Sequence, residues 1–261
     1  MDKNILNRQS QHWETNFSNK PEMFGLEPSL PAKKALNIFK ENNYSKIVEL
    51  GAGLGRDSIY FGKNSINVTA LDYSENGIKV INEKIKKENL ISSISTLKFD
   101  IREDLPFETN SVDACYSHML YCMALTHKDF DKLNSEIHRI LKPGGVLLIS
   151  VPSCIPEMLC WKYSKKYMQT PGGHIRIFKN SFLLEEFSKL KLTLFKHHRE
   201  HAMHSLYWIF KARNNMEDSD FLRSFHALLV KQMFGQAKFS YTLEKILNPL
   251  FGKSECYYLR K

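Results

Sequence analysis

The spacing of apolar positions changes along this chain, and the changes predict the order of its elements. Lys46 to Leu50 (KIVEL) is a short apolar run suited to a buried strand, and Leu54 to Lys63 continues with helical spacing. Asn67 to Leu71 predicts the next strand, and Ser74 to Glu88 the next helix, with Ser74 as its cap. Ile94 to Phe99 and Ser111 to Tyr116 extend the series of strands; Lys128 to Leu141 is amphipathic, and Gly145 to Val151 (GVLLISV) is the most apolar strand. Strands that alternate with helices require right-handed crossovers and a parallel sheet.

The flanks follow another rhythm. Leu192 to His197 and Glu255 to Leu259 suit a closing antiparallel pair. Between them, about His204 to Leu250 has helical character and is too long for a hairpin loop, so it is expected to be an inserted cap. Asn7 to Phe17 and Pro31 to Asn42 also read as helices, with Pro31 in the first turn, where its missing N–H costs nothing. The expected fold is α/β: a Rossmann-like, doubly wound sheet of seven strands, parallel with one antiparallel edge strand. It forms a single domain over 1–261, with an amino-terminal helical lid in 1–45, a cofactor-binding core in 46–152 and a basic substrate-side region in 153–261.

Composition adds three points. A chain of 261 residues with 43% hydrophobic content has enough apolar matter for one large core. No apolar run reaches the roughly 18 residues of a membrane helix, and the start lacks the basic-then-apolar order of a secretory signal, so a cytoplasmic protein is expected. The five cysteines are odd in number and form no CxxC pair, which points to neither a disulfide framework nor a zinc knuckle. The net charge of +9 is unevenly placed: Met1 to Pro152 holds 19 basic and 19 acidic residues, whereas the remainder holds 18 and 9. A basic appendage suits an anionic substrate, an acidic membrane surface or nucleic acid, or is simply a solvated face.

The first strand ends in Glu49-Leu50-Gly51-Ala52-Gly53-Leu54-Gly55-Arg56-Asp57, a glycine-rich turn that opens into a helix. Glycines at alternate positions let the backbone turn sharply and approach a ligand beyond the strand ends. Asp72 ends the second strand about 20 residues on, where a carboxylate accepts from both ribose hydroxyls of an adenosine. Tyr73 is placed to lie against the adenine or to sit exposed in the turn. Asp100 ends the third strand, where it can accept from the adenine amino group while Ile101 packs on the ring.

These segments resemble the class I S-adenosylmethionine-dependent methyltransferases of small-molecule type. The resemblance rests on VELGAGLGR at Val48 to Arg56, the acidic Asp72, Phe99-Asp100, Ser111 to Ser117, and His138 to Gly145 leading into GVLLIS. Dinucleotide oxidoreductases space their last glycine three positions after the second, whereas Gly51, Gly53 and Gly55 fall at intervals of two. The resemblance implies S-adenosylmethionine as cofactor and S-adenosylhomocysteine as product, held by Glu49, Gly51, Ala52, Gly53, Arg56, Asp72, Tyr73, Asp100, Ile101 and Ser117. It gives Glu49 the task of orienting the methionine part and places the end of the fourth strand, Ser117 to Tyr121, toward the transferred methyl. Trp13 and Phe24 would fold over the cofactor, with Met119, Tyr121 and Tyr207 as further lid or acceptor-pocket candidates.

Methyl transfer needs an acceptor aligned with the donor's methyl in a dry pocket, and a base only when the acceptor carries a proton at neutral pH. His118 and His174 are the candidate catalytic residues. His118 alternatively only hydrogen-bonds the cofactor or a helix end. His197, His198, His201 and His204 cluster without partners at metal-ligand spacing, so no metal is expected. Ser117-His118-Met119-Leu120 matches neither the Pro-Pro-aromatic motif of adenine-N6 enzymes nor the Pro-Cys of cytosine-C5 enzymes, so nucleic acid is not favoured. The expected activity is methyl transfer to a small-molecule or lipid-like acceptor, anionic or amphipathic, by a monomer or homodimer. The alternatives are a methyltransferase acting on protein or RNA, and a non-catalytic S-adenosylmethionine-binding protein.

Overall fold

The computed structural model describes residues 3–123, 125–234 and 236–261. Two helices come first, α1 (Lys3–Asn19) and α2 (Leu30–Glu41), and Ser29 caps α2 by accepting from the Ala32 N–H. The core then alternates as β1 (Lys46–Leu50), α3 (Arg56–Lys63), β2 (Asn67–Asp72), α4 (Glu75–Lys87), β3 (Ile94–Lys98), β4 (Val112–His118), α5 (His127–Ile140) and β5 (Leu141–Pro152). Ser74 caps α4 through the Gly77 N–H, and Thr126 with Asp129 forms a reciprocal capping box on α5.

The seven strands form one sheet in the order β3-β2-β1-β4-β5-β7-β6. β1 pairs in parallel with both β2 and β4, so the winding reverses direction between β1 and β4. The antiparallel direction belongs to β7 (Ser254–Arg260), which lies between β5 and the outermost strand β6 (Thr193–Glu200). Alternate residues of each strand serve opposite faces. Val48, Leu50, Cys115 and Leu147 pack with Phe130, Leu133 and Ile137 of α5. Ile47, Ala114, Tyr116 and Leu148 pack with Phe39 of α2, Phe61 of α3 and Ile81 of α4.

Between β5 and β6 the chain forms α6 (Cys154–Tyr163), α7 (Lys165–Met168) and α8 (Asn180–Lys189), a stretch for which the sequence reading named no elements. The apolar residues of α6 are scattered around the helix instead of forming one stripe, while Glu157 is buried, so the period that announces a surface helix is missing. The insertion between β6 and β7 is α9 (Ala202–Arg213), α10 (Asp220–Met233) and α11 (Lys238–Phe251), held by a small core of its own at Met203, Tyr207, Leu222 and Leu229. Among the described residues, no helix is long and apolar enough to cross a membrane.

Candidate functional site

A cavity of about 680 Å³ opens beyond the carboxyl ends of β1, β2 and β4, where ligands of doubly wound sheets collect. Its floor is the turn after β1. Gly51, Gly53 and Gly55 all take the left-handed conformation, with φ of 71°, 56° and 72°. A side chain at Gly51 would strike Leu120 and one at Gly55 would strike Ile81, so bare backbone is required at both.

Asp72 is buried beside this turn, with Oδ2 accepting from the Gly53 N–H at 2.7 Å and Oδ1 from the Ser74 N–H at 2.9 Å. The Tyr73 N–H also bonds to this carboxylate, and of its roughly four acceptor directions at least one stays open for a ligand hydroxyl. Burial pushes the carboxyl up to about 6 against these three hydrogen bonds. Glu49 is also raised well above the usual range, first by burial and then by the neighbouring Asp57, and it accepts from the Ser58 hydroxyl. Asp57 is held low despite burial, by Arg56 and His118 and by the Ser29 N–H and hydroxyl at 2.8 and 2.7 Å. A cationic ligand group entering here meets three buried carboxyl groups whose ionised forms it would favour.

The roof is aromatic. Trp13 and Phe17 of α1 lie with ring centroids 5.5 Å apart, and Phe24 stands 6.2 Å from each. Glu14 secures this helix to the core by accepting from the Ser74 hydroxyl at 2.5 Å and the Asn76 N–H at 3.0 Å, at the start of α4. From the other side the loop after α7 meets α1: the Gln9 amide donates to the Gly173 carbonyl at 3.1 Å, and any Cβ at Gly172 would collide with His12.

The two candidate histidines occupy different settings. His118 ends β4 with Nδ1 2.5 Å from the Ser150 hydroxyl, and burial holds it down at about 4, so it is neutral at physiological pH and a weak proton acceptor. His174 lines the cavity from the loop, with Nδ1 2.9 Å from Glu157 Oε1. Glu157 is fully buried; burial would raise its carboxyl, but Lys253 and His174 outweigh that and hold it at about 2. Lys253 donates to Glu157, and the Tyr167 hydroxyl lies 3.0 Å from the same carboxylate. The fixed charge assigns the proton of His174 to Nδ1 and leaves Nε2 as an acceptor.

Of the residues singled out from sequence, Glu49, Gly51, Ala52, Gly53, Arg56, Asp72, Tyr73, Asp100, Ile101, Trp13, Phe24, Met119, His118 and His174 all line this cavity. Ser117, Tyr121 and Tyr207 do not. Ser117 alternates with His118 on β4 and faces the other way. Tyr121 is buried, donating to Asn134 Oδ1 at 2.8 Å and packing edge-on against Phe130. Tyr207 packs with Trp208, Phe225 and His226 inside the cap. Among the described residues, no cap helix lines the cavity. Asp100 does line it, yet both oxygens are engaged by the Arg102 guanidinium and backbone N–H, which fills the acceptor directions meant for an adenine amino group.

Sequence reasoning assigned no role to Phe17, Asp57, Arg102 or Glu157. An acidic residue in the first turn of a helix that follows a glycine turn was the available sign for Asp57. Glu157 gave none, because its partner Lys253 is 96 positions away. The histidine cluster forms a file instead of a ligand set: His118 and His201 lie 6.1 Å apart and His201 and His204 5.7 Å, and among the described residues no group of His, Cys, Asp or Glu is arranged to hold a metal.

Fold and site together define a doubly wound S-adenosylmethionine protein: bare glycine backbone, a buried carboxylate at the next strand end and an aromatic roof fit an adenosyl sulfonium. Residues 48–149 match the family described as a methyltransferase domain, and this match, with the relatives and solved structures below, supports a class I S-adenosylmethionine-dependent methyltransferase. It is 27% identical over 221 residues to phosphoethanolamine N-methyltransferase 1 of Zea mays, covering 80% of this chain and 40% of that protein. It is 27% identical to the sterol 24-C-methyltransferase of Kluyveromyces lactis over 53% of this chain and 33% of that one. The chain thus spans less than half the length of these relatives. Among solved structures, geranyl diphosphate C-methyltransferase from Streptomyces coelicolor A3(2), in complex with Mg2+, geranyl diphosphate and S-adenosyl-L-homocysteine, superposes with a TM-score of 0.58 at 11% identity, covering 87% of this chain and 80% of that one.

Proposed function

We propose that this protein transfers a methyl group from S-adenosylmethionine to a small-molecule or lipid-like acceptor that enters beside His174. The observation that carries this reading is that one cavity is lined by the glycine turn, Asp72 and His174, whose Nδ1 lies 2.9 Å from the buried Glu157. The cofactor supplies an electrophilic methyl group. The chain's own residues do the rest. Asp72 receives the ribose hydroxyls, Glu49 and Asp57 balance positive charge, and Trp13, Phe17 and Phe24 keep water out and present ring faces that attract a cation.

His174 is set to hold a proton at Nε2 while Glu157 stabilises the resulting imidazolium, which suits an acceptor oxygen or nitrogen that must lose a proton on methylation. His118 stays neutral and serves as a hydrogen-bonding wall. The acceptor class draws support from relatives whose names specify phosphoethanolamine, a sterol and geranyl diphosphate, and from a site bordered by a region with excess positive charge. Incubation of the protein with labelled donor and a metabolite and lipid extract is expected to place label on an organic-soluble or low-mass compound. Label only on protein or RNA would replace this reading with one in which the basic region docks a macromolecule.

A further inference from the structure

The cap is built inside out. On α11, Ser240, Glu244 and Asn248 recur at helical spacing on the buried face: Glu244 accepts from the Gln232 amide at 2.8 Å, and Asn248 donates to Glu200 at 2.7 Å and accepts from the Ala202 N–H at 3.0 Å. The outward face of the same helix carries Phe239, Leu243, Ile246 and Leu250, which are 71, 43, 69 and 69% exposed. At spacings of 4, 3 and 4 these four make one continuous apolar stripe. A soluble helix has the reverse arrangement, and a stripe of large apolar side chains on a surface marks a contact.

Charge identifies the contact. From Asp220 to Phe251, α10 and α11 carry four basic and two acidic residues, of which Glu244 is buried and Asp220 pairs with Arg223. Lys231 and Lys245 are exposed on α10 and α11. Protein interfaces exclude lysine from around their apolar centres, whereas a helix lying in a bilayer surface combines Leu and Phe on one side with flanking lysines. At 14 residues α11 is about 21 Å long, too short to span a bilayer, so it would lie in the plane of the surface.

We propose that α11 docks the protein on an anionic lipid surface, its Phe239–Leu250 stripe entering the acyl boundary and Lys231 and Lys245 facing the headgroups. The cap thereby acquires a role, since among the described residues it adds nothing to the cavity lining. The inference stands on the exposed stripe and its charge surroundings, independently of which acceptor the site takes.

The test is sedimentation of the purified protein with phosphatidylglycerol-containing vesicles and with pure phosphatidylcholine vesicles. The wild type is expected to pellet with the anionic vesicles and to be released as salt rises from about 0.1 to about 0.5 M. Leu243→Ser/Ile246→Ser/Leu250→Ser is expected to lower the partition coefficient about tenfold or more, and Lys231→Glu/Lys245→Glu to weaken binding to anionic vesicles only. Unchanged calorimetric affinity for the donor shows that both variants remain folded, and it keeps this test separate from that of the proposed activity. Wild type that stays in the supernatant overturns the proposal. So does a stripe variant that binds vesicles like the wild type but sediments alone as a monomer where the wild type is a dimer, since the stripe would then cover a second copy.

Discussion

Residues 46–152 and residues 202–251 are both mainly regular secondary structure, but they solve the problem of burial in opposite ways. In the first, strands and helices bury most of their large apolar side chains against the sheet, charge sums to near zero and the site lies where the winding reverses. In the second, three helices share a small apolar core, one of them turns polar residues inward, and large apolar side chains remain on the surface of a basic region. The difference separates cofactor binding from surface recognition within one chain, and substitutions can test that separation.

The largest effect is expected at the glycine turn. Gly53→Val forces a β-branched residue to φ near 56° and drives its methyls against Phe17 and Phe24, whose atoms already lie 3.6 and 3.8 Å from a Cβ at that position. Donor affinity measured by calorimetry should fall about a hundredfold or more. In the cap, Leu229→Ala removes a buried side chain from the small core and should cost about 2–4 kcal/mol in urea unfolding. If the two regions are separate, donor affinity of that variant stays within twofold of wild type, roughly the noise of additivity at distant sites.

His174→Ala should lower kcat about a hundredfold, with donor affinity preserved, because it removes a proton acceptor and not a cofactor contact. His118→Asn sharpens the contrast: a histidine held at about 4 does not titrate between pH 6 and 8, so this variant should leave the shape of the rate profile there unchanged.

Asp72→Ala should weaken donor binding about tenfold, a modest loss for paired hydrogen bonds. The acceptor form of Asp72 is the ionised one, and its carboxyl sits at about 6, so donor affinity should rise between pH 5 and 7 and level off above, with the slope absent in the variant. The sign for the unliganded fold is opposite. A carboxyl raised above its ordinary 3.8 contributes stability in acid and loses it as pH rises through about 6. The smallest effect belongs to Asp100→Ala, expected to change donor affinity less than about threefold, because Arg102 already holds that carboxylate.

Much of the core could be read from the chain. Lys46 to Leu50 is a strand with the expected bounds, Ser74 caps its helix, and Asp72 stands beside Gly53 as their spacing implied. These features depend on neighbours in sequence or on one repeating crossover. Tyr121 and Tyr207 show the limit: aromatics near a site suit a pocket and a core equally, and packing against Phe130 and Phe225 put both in cores. α6 and the Glu157–Lys253 pair were equally hidden, one for want of a period and the other because its partners meet only across the fold.

By itself, then, the sequence determined the alternation of strands and helices, the bare turn after β1 and the carboxylate that faces it, because backbone sterics and local periodicity act within a few residues. Tertiary structure alone decided that His174 is oriented by Glu157 and that α11 shows its apolar side to the outside. Those outcomes depend on which distant surfaces compete for the same buried space, and no local pattern encodes that competition.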